Sequence, residues 1–114
     1  MGDPATVFRE SRVDVIDFYG SPKQQLEWQS RTPSLDSGEV LCWWAEDFNP
    51  DSDRYRAAFS PREILLLCSF NERVERAFSK YRSPFPSMHA LLDDPDWRSV
   101  VNDAARLAKA LRNG

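Results

Sequence analysis

The chain has 114 residues, of which 29% are charged, and a formal net charge of -3 at pH 7. This length is sufficient for one hydrophobic core and predicts a single domain over residues 1–114. The acidic balance disfavours general binding to nucleic acid or to an anionic membrane, because both require clustered Lys and Arg.

Four prolines mark the predicted starts of helices. Each follows a residue that can cap a helix N-terminus, and proline suits the first helical position because its fixed φ angle already matches the helix. The pairs are Asp3 with Pro4, Ser21 with Pro22, Ser60 with Pro61, and Asp94 with Pro95. Gln24 and Glu63 follow two of the capping serines by three residues, which is the spacing of a capping box.

Two of the predicted helical segments leave an alternative open. The first segment can end at Gly20, with an apolar side formed by Val7, Phe8, Val15, Phe18 and Tyr19. A short strand over residues 13–19 competes with that helix. Residues 39–45 also have β-branched and aromatic content that suits a strand. A helix is preferred there because Val40, Leu41, Trp44, Ala45 and Phe48 form one stripe, with Ser37 as its cap.

The second half of the chain has clearer helical periodicity. Between residues 61 and 81 the predicted apolar face consists of Ile64, Leu67, Cys68, Val74, Phe78 and Tyr81. A short helix is predicted over residues 88–92, after the prolines at positions 84 and 86. The last helix has a predicted apolar face of Trp97, Val100, Val101, Ala104, Leu107, Ala108 and Leu111, and Asn113 with Gly114 can end it.

These elements predict a mostly α protein, a small helical bundle of four to six helices. The alternative is an α+β fold with a short sheet formed from residues 13–19 and 39–45.

Residues 37–55, with the sequence SGEVLCWWAEDFNPDSDRY, lead from an aromatic cluster into an acidic turn. Four carboxylates lie within eight residues: Glu46, Asp47, Asp51 and Asp53. An apolar anchor beside clustered charge suits a surface that meets a basic partner, and Trp43 is the aromatic candidate for that interface. The alternative is a solvated turn in which Asp51 or Asp53 caps locally.

The same turn has part of the spacing of a calcium loop. Its oxygen-bearing side chains are Asp47, Asn49, Asp51 and Asp53. Ser52 occupies the position that requires glycine, and Ala58 occupies the position of the bidentate glutamate. Calcium binding is therefore disfavoured, and no metal or other cofactor is predicted.

The remaining reactive residues predict no catalytic site. His89 is the single histidine, and no nucleophile motif or phosphate-binding loop accompanies it. Cys42 and Cys68 lie in apolar runs, where an unpaired cysteine behaves as a small core residue. A disulfide between them is the less favoured alternative.

The segment GEVLCWWAEDFNPDSDRY resembles the corresponding segment of the colicin D immunity protein family. In that family a glycine-glutamate helix start leads through an alanine-glutamate pair to a phenylalanine and a proline-aspartate turn closed by arginine. The matching positions are Gly38, Glu39, Leu41, Ala45, Glu46, Phe48, Pro50, Asp51, Asp53 and Arg54. Tryptophans at 43 and 44 replace smaller apolar residues, and the resemblance does not extend to the region after Tyr81.

The resemblance implies a small, mainly helical inhibitor that occupies the active-site cleft of a tRNA-cleaving toxin. Carried over by position, it implies that Glu46 and Asp51 are the main anionic contacts, with Asp53 beside them. The leading hypothesis is therefore a bacterial immunity protein that binds a cognate basic nuclease toxin and is not an enzyme. The predicted partner-binding residues are Glu46, Asp47, Asp51, Asp53 and Trp43.

The alternative function is a small helical regulator or antitoxin that binds nucleic acid. It would use basic residues of the last helix, namely Arg98, Arg106, Lys109 and Arg112. The longest strongly apolar run is far shorter than the roughly 20 residues needed to cross a bilayer. The N-terminal residues also lack a signal-peptide pattern, so a cytoplasmic protein without membrane contact is expected. The oligomeric state is left open.

Overall fold

The computed structural model describes residues 3–113, and within that range it contains seven helices and no strand. The helices are α1 (Pro4–Tyr19), α2 (Pro22–Arg31), α3 (Ser37–Ala45), α4 (Asp53–Ala58), α5 (Pro61–Phe78), α6 (Met88–Leu91) and α7 (Pro95–Asn113). The mostly α prediction is confirmed. The alternative sheet is wrong, because residues 13–19 lie in α1 and residues 39–45 lie in α3.

The short helix α4 was not predicted and brings the number of helices to seven. The side chain of Ser52 starts it by accepting a hydrogen bond from the Tyr55 amide at 3.3 Å. Six residues are too few to show a helical period, so the sequence pattern could not reveal this helix.

The predicted caps hold at three of the four proline-marked starts. Ser60 and Glu63 form a complete capping box, and Ser21 accepts a hydrogen bond from the Gln24 amide at 3.2 Å. Asp94 accepts a hydrogen bond from the Asp96 amide at 2.9 Å. Asp3 stands at the N-cap of α1, but its side chain makes no capping hydrogen bond.

The start of α3 corrects another prediction. Asp36, not Ser37, caps this helix, because its carboxylate accepts a hydrogen bond from the Gly38 amide at 2.8 Å. Ser37 is the first helical residue and is buried.

One cluster of buried side chains joins α1, α3, α4, α5, α6 and α7. The predicted apolar face of α7 is confirmed in full: Trp97, Val100, Val101, Ala104, Leu107, Ala108 and Leu111 are buried. The helix is present through Asn113, while Gly114 lies outside the described residues.

The faces of α1 and α5 were predicted less well. Val7 was placed on the apolar side of α1, yet 53% of its surface is exposed, whereas Ile16 is fully buried. In α5, Phe70 and Ala77 are buried although neither was predicted. The period of a pattern defines a stripe on a helix, but the neighbouring helices decide which edge of the stripe is covered.

Two buried polar side chains of α2 form hydrogen bonds to the rest of the bundle. The amide of Gln25 donates to the carbonyls of Phe18 and Tyr19, and its oxygen accepts from the indole of Trp97 at 3.0 Å. Gln29 accepts a hydrogen bond from the amide of Met88, the first residue of α6, at 2.8 Å. Because both glutamines are buried, these hydrogen bonds fix the position of α2 specifically.

Both cysteines are free, and Cys42 is exposed while Cys68 is partly exposed. The prediction that they are core residues is therefore wrong, because neither position on its helix belongs to the buried cluster or to the apolar side chains packed against it. None of the described helices is long and apolar enough to span a membrane.

Candidate functional site

The acidic segment at residues 46–53, called the acidic loop below, leads from the end of α3 into the first residue of α4. Its four carboxylates, those of Glu46, Asp47, Asp51 and Asp53, are all exposed. The structure thus brings the predicted acidic residues onto one solvent-facing connection. Within residues 3–113 no three His, Cys, Asp or Glu side chains are grouped so that they could hold a metal ion.

Ser52 makes the local hydrogen bonds of the acidic loop. Its hydroxyl donates to the carbonyl of Asn49 at 2.8 Å and accepts from the amide of Tyr55. Within residues 3–113 no hydrogen bond or ion pair engages the carboxylate of Asp51 or Asp53. Within the described residues, Ser52 therefore caps the turn, and Asp51 and Asp53 do not.

Aromatic side chains pack against one another on the core side of the acidic loop. Trp44 is fully buried and stacks on Phe48, with ring centroids 4.9 Å apart, and Phe48 meets Tyr55 edge to face at 5.7 Å. The indole N–H of Trp44 donates to the side-chain oxygen of Asn71 in α5 at 2.8 Å. Both ends of the loop are therefore fixed to the core.

Arg12 of α1 fixes the end of α3 and is only 2% exposed. Its guanidinium donates to the carbonyl of Trp43 at 3.1 Å and lies over the ring of Trp44. The last carbonyls of a helix lack intrahelical partners and attract a cation, so this contact is favourable. Arg12 also pairs with the carboxylate of Asp47 at 3.3 Å, although the Asp47 side chain remains 61% exposed.

Sequence reasoning missed Arg12. Its position could have indicated this role. Arg12 precedes Ile16 by four residues, so both side chains lie on the same side of α1.

The predicted aromatic contact, Trp43, is partly buried. Its ring packs edge to face on Phe18 of α1 at 5.1 Å and on Trp28 of α2 at 5.4 Å. Trp43 therefore anchors α3 to α1 and α2, and only part of its surface is available to a partner.

Exposed carboxylates also stand one helical turn from each cysteine, Glu39 in α3 and Glu72 in α5. Desolvation of the thiol raises the pKa of Cys42 even though the residue is exposed, and the charges of Glu46 and Glu39 raise it further. Partial burial likewise raises the pKa of Cys68, with added contributions from Asp51 and Glu72. Glu39 of α3 and Glu72 of α5 are exposed carboxylates that the predicted binding surface did not include.

The basic residues of α7 proposed for nucleic-acid binding are partly neutralised. Arg106 forms an ion pair with Asp103 at 2.5 Å, and Arg112 forms one with Asp17 of α1. These pairings leave less positive charge on α7 for phosphate contacts.

Comparison of the chain with protein-family models, with curated proteins and with solved structures found no match. The fold and the site define a small all-α protein that carries an exposed acidic loop beside an aromatic part of its core.

Proposed function

We propose that this protein is an immunity protein that inhibits a basic nuclease toxin by inserting the acidic loop into the toxin's active-site cleft. A nuclease cleft is positively charged because it must hold phosphates. Carboxylates on a rigid support can occupy such a cleft in place of the nucleic acid, and the protein itself performs no catalysis. The resemblance of residues 38–55 to the colicin D immunity family supports a toxin that cleaves tRNA.

One observation carries the proposal. The carboxylates of Asp51 and Asp53 are exposed and unengaged within the described residues, on a loop fixed at both ends by Trp44 and Tyr55. A preorganised charge loses little conformational entropy when it binds, so it favours tight association.

Co-expression tests the proposal directly. The protein is produced together with basic nuclease domains encoded beside its gene, and cell survival and tRNA cleavage in the lysate are measured. Protection by the wild type and its loss with Asp51→Asn/Asp53→Asn are expected. A control variant, Asp14→Asn/Asp93→Asn, makes the same change in net charge at exposed positions away from the loop and should still protect.

Calorimetry of the purified pair gives the magnitude. Removing one partner of a desolvated charge pair costs about 2 to 5 kcal/mol of binding, so the loop variant should lose several orders of magnitude in affinity. Equal affinities for the loop variant and the control would contradict a role for the acidic loop.

A further inference from the structure

A shallow apolar groove runs between α5 and α7, separate from the acidic loop. Its floor is formed by Leu66, Phe70, Leu107 and Ala110, and it encloses about 250 Å³. The depression continues past Leu66 and Ala110 to Arg62 at the start of α5. It therefore extends along about three turns of the helix pair.

Two adjacent leucines of α5 face solvent at this groove and beside it. Leu66 on the floor is 41% exposed, and the neighbouring Leu65 is 70% exposed. Scattered apolar side chains need no explanation, but neighbouring ones that border an apolar depression mark an interaction surface.

The rim of the groove carries more positive than negative charge. Arg73 and Arg106 share a single carboxylate, that of Asp103, at 2.8 and 2.5 Å. At the other end Glu63 is already paired with Arg9 of α1 at 2.7 Å, while Arg62 is exposed and forms no ion pair within residues 3–113. A positive rim on a protein of net charge -3 selects for a negative partner.

We infer that this groove binds an amphipathic helix of a partner protein, one that carries aliphatic side chains on one face and carboxylates beside them. Along the groove, the lining residues run from Arg62 to Arg73 on α5 and from Ala110 to Asp103 on α7. The two helices are therefore antiparallel and form an open trough. A helix laid in such a trough places apolar anchors at steps of three and four residues against the floor. Its carboxylates then meet Arg62, Arg73 and Arg106.

Synthetic peptides test this inference with the full chain. One fluorescent helical peptide has leucines at helical spacing flanked by glutamates, and its matched partner has lysines in place of the glutamates. Fluorescence anisotropy should show saturable binding of the glutamate peptide and none of the lysine peptide. Binding of both peptides alike, or of neither, would overturn the inference.

Variants locate the site. Arg106→Glu should weaken binding of the glutamate peptide by about tenfold or more, because it reverses a rim charge. Arg98→Glu makes the same charge change at an exposed position of α7 and should stay within about twofold of the wild type, as expected for a surface charge outside an interface. Equal effects of the two variants would place the peptide elsewhere.

A second variant tests the site independently, in case Arg106→Glu disturbs folding. Leu66→Ala removes apolar surface from the floor at a partly exposed position, and it should also weaken binding several-fold while circular dichroism stays unchanged. Wild-type binding by this variant would overturn the inference. A wild-type dimer in sedimentation that Leu66→Ala dissociates would also overturn it, because the groove would then bind a second copy of the chain. Asp51→Asn/Asp53→Asn should bind the peptide normally, so this test is independent of toxin inhibition.

Discussion

A single buried arginine connects the core to the acidic loop. Arg12 donates to the carbonyls of Trp43 and Trp44 at the end of α3 and also contacts Asp47. Because Arg12 is removed from water, its guanidinium depends on these acceptors for hydrogen bonding. Arg12 thus acts on the position of the loop although it does not face the proposed partner.

Replacing Arg12 by Met tests this role, because Met has a similar length but cannot donate. The carbonyls at the end of α3 would lose a charged donor, and the free energy of unfolding should fall by about 2 to 3 kcal/mol. Urea denaturation measures the change. Arg98→Met, at an exposed position, should stay within about 0.5 kcal/mol of the wild type. A similar loss in both variants would show that Arg12 contributes only general helix stability.

At the scale of helices, the C-terminal end of α1 approaches α7 closely at Gly20, the C-cap of α1. A Cβ atom on Gly20 would lie 2.8 Å from the amide nitrogen of Ala105 and 3.0 Å from its Cα. The φ angle of Gly20 is -88°, which any residue adopts, so the requirement for glycine comes from space alone. The contacting atoms belong to the backbone of α7 and cannot turn away.

Gly20→Ala should therefore lower the thermal midpoint. Overpacking costs about 1 to 3 kcal/mol, whereas the same substitution in open space would stabilise by about 0.4 to 1 kcal/mol. The sign of the change in a thermal scan decides between the two. Adding Ala105→Gly should not rescue the variant, because it removes a side chain and leaves the obstructing backbone in place.

Across the whole molecule, two carboxylates tie distant segments together. Glu63 in α5 accepts two hydrogen bonds from Arg9 of α1, and Arg9 lowers the pKa of Glu63 to about 2. Burial alone would raise the pKa of Asp94. Hydrogen bonds from Lys80, from Tyr81 and from the backbone amide of Asp96 instead lower this pKa to about 2. These contacts join α5 to α1 and the turn after α5 to the start of α7.

The two carboxylates predict loss of stability in acid. A carboxyl group whose pKa is lower in the folded state binds its proton more weakly there than in the unfolded chain. Its contribution is complete above the ordinary values of 4.5 for Glu63 and 3.8 for Asp94, and it disappears as the pH falls to about 2. The free energy of unfolding should therefore decrease as the pH falls from about 5 to about 2.

Glu63→Gln/Asp94→Asn tests the assignment. This variant should be less stable than the wild type near neutral pH, and the difference should shrink as the pH falls, because the wild type then loses the same contacts. Glu10→Gln/Asp93→Asn alters exposed carboxylates and should keep the wild-type pH dependence. Urea unfolding at several pH values compares the three proteins, and parallel curves for all of them would refute the assignment.

The sequence by itself determined the features that depend on neighbours along the chain. Proline positions and capping residues predicted most helix starts, and the period of apolar residues predicted the complete buried face of α7. The exposure of Asp51 and Asp53 also followed from local composition, because a proline turn rich in carboxylates favours solvent. Hydrogen bonds within one helical turn and helical periodicity are short-range effects, so a linear pattern contains them.

Only the tertiary structure decided which distant residues meet. Arg12 reaches the end of α3, Asn71 accepts from Trp44, and Glu63 accepts from Arg9, although each pair is far apart in the chain. The groove between α5 and α7 likewise exists only because these two helices pack side by side. Such contacts depend on the relative rotation and distance of packed helices, and those quantities are set by the fit of all the core side chains together.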